Sequence, residues 1–206
     1  MTGELVLSVG SLARSFGGRD VVDGFDLELQ AGERVALCGP NGAGKTTVLR
    51  CIAGTVLPTR GHITVLSHPA GSLEARRWTG VSLSQERSFY LRLSGRHNLL
   101  FFAGARGIRR GDAVRLVDAL EEELELGAIL AKRVDRCSTG MVQQLAFARA
   151  LIGVPRLLLL DEPTRSLDAE ATERLWRAVE ARPHLALLIA THRADDVARC
   201  QRRIDL

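Results

Sequence analysis

The chain has 206 residues, 46% of them apolar and 25% charged, with a formal net charge of +4, a balance that excludes disordered and fibrous classes. No apolar run approaches the ~20 residues that cross a bilayer, so any membrane role is expected to come through a partner. The four cysteines, Cys38, Cys51, Cys137 and Cys200, form no C-x-x-C pair, which argues against a zinc or disulfide framework and for reduced thiols in a cytosolic protein.

The first residues lack a basic segment followed by an apolar one, so no signal peptide is expected. Residues 5–9 read as a strand, and residues 21–30 alternate Phe25, Leu27 and Leu29 with Asp26, Glu28 and Gln30, a second strand. Ala31, Gly32 and Glu33 form a turn. Residues 34–38 are a short apolar strand that runs into a glycine-rich loop, and residues 45–53 read as a helix closed by Gly54. A turn at Pro58 to Gly61 leads to a strand at 63–66, and Val81, Ser82 and Leu83 form a further apolar stretch. From residue 94 to about 149 the pattern is helical, with Val114, Leu116, Val117, Leu120, Leu124 and Leu126 recurring at three- and four-residue steps. A strand at 157–160, a helix at 169–181, a strand at 185–190 and a helix from Ala194 complete the order.

Strands that alternate with helices imply a parallel sheet with helical cover. The expected fold is α/β: a single domain over 1–206, with its core at 1–84 and 150–206. A helical subdomain is inserted at about 86–149. Of 28 basic residues only Lys45 and Lys132 are lysine. The densest basic stretch, Arg106, Arg109, Arg110 and Arg115, has no interleaved aromatics, so a solvated face is expected and no nucleic-acid partner.

Two motifs carry chemistry. Gly39, Pro40, Asn41, Gly42, Ala43, Gly44, Lys45 and Thr46, followed by Thr47, fit G-x-x-x-x-G-K-[ST] between a strand and a helix. Glycines let backbone N–H groups converge on phosphates, and the helix N-terminus adds its dipole. Lys45 can reach the β- and γ-phosphates of ATP, and the Thr46 hydroxyl can ligate Mg²⁺. The second motif is four leucines, 157–160, before Asp161, Glu162 and Pro163. A buried parallel strand ending in a carboxylate places Asp161 where α/β sheets bind ligands, near Mg²⁺, and Glu162 where it can activate water.

In their order and spacing these segments, with Thr164 and then Ser166, Leu167 and Asp168, resemble the Walker A, Walker B and D-loop of ABC ATPases over most of the chain. The resemblance implies a P-loop NTPase core with an N-terminal antiparallel β subdomain, and further roles. Gln85 looks like the Q-loop glutamine that contacts Mg²⁺ and the attacking water. His192 looks like the switch histidine on the γ-phosphate, and Phe16 like the aromatic that stacks on adenine, usually Tyr. Cys137, Ser138, Thr139, Gly140 and Met141 occupy the place of the family's Leu-Ser-Gly-Gly-Gln. Ser138 and Gly140 match and, with Thr139, are expected to serve the nucleotide of an opposite subunit, whereas Thr139 and Met141 depart from the pattern. Ser-Thr-Gly-Met is similar to a variant in some ABC-2-type exporters.

The resemblance also implies a head-to-tail homodimer, or a heterodimer with a related ATPase, that sandwiches two ATP molecules. It would sit on the cytoplasmic face of the cell membrane and drive an integral-membrane permease on another chain. The chain's end soon after Ile204, without the regulatory domain of many importer ATPases, adds to the expectation of an exporter. The alternatives are a soluble ABC ATPase acting on nucleic acid, ribosomes or a cofactor-assembly complex, and a different P-loop family.

Overall fold

The computed structural model describes residues 3–83 and 88–206. Two long strands open the chain, β1 (Leu5–Phe16) and β2 (Arg19–Gln30). They pair antiparallel through Gly17 and Gly18, both at positive φ, which a tight connection requires. β1 runs seven residues past the expected 5–9. Leu12 and Ala13 are buried although bulges between Val9 and Leu12 break the alternation, and that hides the continuation from a two-residue period.

β3 (Arg34–Cys38) and α1 (Lys45–Ile52) match the first motif's expected positions. β4 (Arg60–Val65) and the two-residue β5 (His68–Pro69) complete an antiparallel sheet in the order β2-β1-β4-β5. Next come α2 (Leu73–Trp78), capped by Ser72 accepting from the Ala75 amide at 3.1 Å, and β6 (Thr79–Ser82). α2 is too short to show a helical period in sequence.

The helical block holds α3 (Gly95–Ala105), α4 (Arg110–Leu124), α5 (Gly127–Leu130), a 3₁₀ turn at Val134–Arg136 and α6 (Thr139–Ala150). β7 (Leu157–Asp161), α7 (Ala169–Glu180), β8 (Ala186–Ala190), α8 (Ala194–Ala198) and β9 (Arg202–Asp205) end the chain. The second sheet is parallel throughout, in the order β6-β7-β8-β3-β9. β6 and β7 are neighbours in it, so the whole helical block is one crossover connection. β9 reads Arg-Arg-Ile-Asp, a charged edge strand without an apolar signal.

The uninterrupted apolar runs in β7 and β8 reflect a sheet buried on both faces. Leu158, Leu160, Leu187 and Ile189 pack under α3, α4, α6 and α7. Leu157, Leu159, Leu188 and Ala190 face α1 and the antiparallel sheet. The expected α/β fold, with its antiparallel sheet and helix-covered parallel sheet, is the one observed.

Arg106 donates to the Thr79 carbonyl at 2.8 Å, and burial pushes its guanidinium below the usual range. Arg115 pairs with Asp112, so the basic stretch is not a uniform cationic patch. Among the described residues no helix is long and apolar enough to cross a membrane.

Candidate functional site

β7, β8 and β3 lie side by side, with Asp161 paired to Ala190 and Ala190 to Leu37. Their C-terminal ends therefore deliver the 39–47 loop, Asp161, Glu162 and His192 to one edge of the sheet, where parallel α/β sheets hold ligands. The cleft there has a volume of about 590 Å³. Val21 and Arg165 also line it.

The loop's shape depends on its glycines. Gly39 and Gly44 have φ of 144° and 101°. A Cβ on Gly44 would stand 2.7 Å from the Val21 carbonyl oxygen, and one on Gly39 2.7 Å from that of Leu206. Gly44 caps α1 without a side-chain hydrogen bond, so the helix's first amides and its positive dipole end are left for a ligand. The loop closes through the Ala43 amide donating to the Pro40 carbonyl at 3.2 Å. Lys45, only 9% exposed, folds its ammonium back over the loop, donating to the carbonyls of Gly39 at 2.7 Å and Pro40 at 3.0 Å. Thr46 Oγ1 donates to Asp161 Oδ2 at 2.8 Å.

These donors fit a magnesium nucleotide. A hydroxyl and a buried carboxylate in contact are the hard oxygen ligands that Mg²⁺ takes, and the glycine loop is a cradle that a Cβ on Gly39 or Gly44 would disrupt. Among the described residues no cluster of three His, Cys, Asp or Glu offers an alternative metal cage.

Glu162 adopts φ 49°, the left-handed region that a non-glycine residue enters only when its surroundings hold it there. Its amide donates to the Ala190 carbonyl at 2.8 Å, and its own carbonyl accepts from Gln143 Nε2 at 2.6 Å. His192 Nδ1 stands 2.8 Å from Glu162 Oε1. The second carboxylate oxygen, Oε2, is buried with no hydrogen-bond partner among the described residues. A buried acceptor without a partner is costly, and water or a ligand would satisfy it.

The remaining expected residues lie elsewhere. Phe16, at the end of β1, is 47% exposed and outside the cleft's lining, with the Arg14 guanidinium 4.4 Å from its ring centre. Ser138 caps α6, its hydroxyl accepting from the Met141 amide at 3.2 Å, and Ser138 and Thr139 face solvent. Gly140 packs against the loop after β7, so closely that a Cβ there would collide with the Ser166 carbonyl oxygen. Gln85 lies outside the described residues.

Sequence reasoning missed three residues. Arg165 lines the cleft. Gln143 holds the Glu162 peptide. Asp196, 1% exposed, accepts from Thr164 Oγ1 at 2.5 Å, Thr191 Oγ1 at 3.1 Å and Trp176 Nε1 at 3.0 Å. This carboxylate ties the segment after Glu162 to the one before His192. Its neighbour Asp195 is exposed, and only the packing of α8 tells the two apart.

The family profile described as ABC transporter matches residues 22–165. The chain is 35% identical over 205 residues to the Nod factor export ATP-binding protein I of Rhizobium sp. (strain N33), covering 97% of this chain and 67% of the relative. It is 37% identical over 204 residues to the protein of that name in Rhizobium meliloti (strain 1021), covering 96% of this chain and 60% of the relative. The probable multidrug ABC transporter ATP-binding protein YbhF of Escherichia coli (strain K12) is 31% identical over 204 residues, 97% of this chain and 35% of that one. The chain thus spans about two thirds or less of the length of these relatives. Among solved structures, an ATP-binding subunit of an ABC transporter superposes with a TM-score of 0.87 at 27% identity, over 98% of this chain and 85% of that one. A dimeric ATP-binding cassette bound to ADP and Pi shares the fold, with a TM-score of 0.86 at 22% identity over 97% and 94%.

Proposed function

We propose a role that proceeds from one premise: the chain belongs to the ABC transporter family. It binds and hydrolyses ATP and powers transport through a permease carried elsewhere, an exporter by analogy with the Nod factor export and multidrug relatives. One observation carries the hydrolytic reading. A P-loop lysine, a Thr46–Asp161 pair and a Glu162–His192 pair converge on one cleft.

In this reading the first amides of α1 and the Lys45 ammonium bind the β- and γ-phosphates, exchanging the carbonyls of Gly39 and Pro40 for the anion. Thr46 and Asp161 hold Mg²⁺, which when bound screens the phosphate oxygens. Glu162 orients water through Oε2 and takes its proton, while His192 keeps Oε1 in place and meets the γ-phosphate. Gln85 is assigned the contact to Mg²⁺ and water that the family resemblance implies. Phe16 offers a π face to adenine at the cleft's margin, with Arg14 already stacked on its ring.

Ser138, Thr139 and Gly140 sit apart from this cleft, at the start of α6. Their place supports a head-to-tail dimer in which each chain completes the other's site. The permease docks on the stretch that follows Gln85 in sequence, where Tyr90, Leu91, Leu93 and Phe101 leave apolar surface exposed. That partner holds the chain at the cytoplasmic face of the membrane. Glu162→Gln tests the reading: ATP binding should persist while hydrolysis falls about 10²–10⁴-fold, the typical contribution of a general base. A variant that still hydrolyses ATP at the parental rate would sink it.

A further inference from the structure

We propose that Gln143 is a positioning residue that couples the two nucleotide sites of the dimer. It carries engagement of the 138–140 end of α6 to Glu162 of the same chain. The inference rests on the ATPase reading and adds to it a route between sites.

Among the described residues lining the cleft, Glu162 is the only non-glycine in the left-handed region. Its backbone conformation sets where its carboxylate points, and that conformation is held from outside. The Glu162 amide is tied to β8 through Ala190. Its carbonyl is tied to α6 through Gln143 Nε2 at 2.6 Å, and the Arg165 amide lies 3.3 Å from the same oxygen. Loss of the Gln143 bond releases one of these restraints and lets the carboxylate drift from His192.

Gln143 is the fifth residue of α6, so it lies roughly 6 Å along the axis from the helix start at 1.5 Å per residue. The helix is continuous and its later part is buried at Leu145, Phe147, Ala148 and Ala150. It therefore moves as one body. A second contact ties its start to the same loop: Gly140 approaches the Ser166 carbonyl so closely that no Cβ would fit between them. A shift of the α6 start, on meeting the other subunit's phosphate, thus displaces both Gly140 against Ser166 and Gln143 against Glu162. Occupancy of one site then tunes the water-orienting carboxylate of the other.

The test uses the full chain purified with its membrane partner. Gln143→Met keeps size and reach without an N–H, and Gln143→Lys keeps a donor. For Gln143→Met we expect kcat to fall about 5–10-fold, the loss of one hydrogen bond read as a rate. The Hill coefficient for ATP should drop toward one, and the Kd for a fluorescent ATP analogue should stay within about twofold, since Gln143 does not line the cleft. Gln143→Lys should restore both the rate and the Hill coefficient. An unchanged Hill coefficient in Gln143→Met overturns the proposal, whether or not kcat falls. So does a parallel loss of nucleotide affinity and melting temperature, which would make Gln143 a structural anchor. The parent and Glu162→Gln, run alongside, separate the two levels: no hydrolysis by the parent overturns the ATPase reading itself, and parental-rate hydrolysis in Glu162→Gln overturns the role given to Glu162.

Discussion

Lys45 shows how one side chain can serve two states. Its ammonium is nearly buried, yet it has two carbonyl partners and no carboxylate among the described residues. Carbonyl dipoles take two of its three N–H donors without cancelling its charge, so the charge remains available to an anion. Lys45→Ala should weaken ATP binding about 10–100-fold, as expected for a hydrogen bond to a charged group, and titration with a fluorescent nucleotide reads it. Gly44 is constrained in the opposite way, by backbone alone. Gly44→Ala meets both a φ of 101° and the Val21 carbonyl at 2.7 Å. It should cost about 1–3 kcal/mol of stability, measured by urea denaturation. Cys200 illustrates burial without a function: its thiol is pushed from 9.0 up to about 12, chiefly by burial. The folded state therefore keeps its proton where the unfolded chain loses it. This stabilisation is fully present below pH 9 and lost as pH rises from about 9 toward 12. Alkylation of Cys200 at about pH 9, near the ordinary thiol value, should accordingly be slow in the native chain and fast in urea.

At the scale of elements, helix ends do most of the positioning. α1 starts at a glycine and leaves its amides open. α6 starts at Ser138, whose hydroxyl spends itself on the Met141 amide. Ser138→Ala should cost about 1 kcal/mol from the lost cap, visible as a lower denaturation midpoint. α8, only five residues long, matters for one carboxylate. Asp196→Ala would leave the Trp176 indole and the hydroxyls of Thr164 and Thr191 buried without their acceptor. Buried donors stranded in this way cost about 1–3 kcal/mol each. The loss should exceed that of Ser138→Ala in the same assay. Because Asp196 bridges the segments carrying Glu162 and His192, hydrolysis should fall with it.

At the scale of the molecule, the two sheets share one interior. The parallel sheet sends alternate residues into two cores, one under the helical block and one against α1 and the antiparallel sheet. The site sits where three of its strands end, so the cleft's floor is as rigid as the sheet. The helical block covers one face of that sheet, with Tyr90, Leu91, Leu93 and Phe101 exposed near its start. If the permease docks there, Leu91→Arg should reduce recovery of the membrane partner about tenfold, equivalent to roughly 1.4 kcal/mol. Pull-down from detergent extracts measures it.

What the sequence by itself determined is the chemistry of short segments and the class of the fold. The 39–47 loop is legible because only glycines allow its backbone and only Lys and Thr supply its donors. β7 and β8 are legible because strands buried on both faces must be apolar at every position. Other features belonged to tertiary structure alone. β9 is charged and short, and its pairing to β3 makes it a strand. The far half of β1 is hidden by bulges. Asp195 and Asp196 are equivalent in sequence, and packing buries one of them. The bond from Gln143 to Glu162 spans 19 residues, and no local spacing encodes it. Local physics depends on neighbours along the chain, whereas a buried polar partner depends on which surfaces the fold brings together, and only the folded chain decides that.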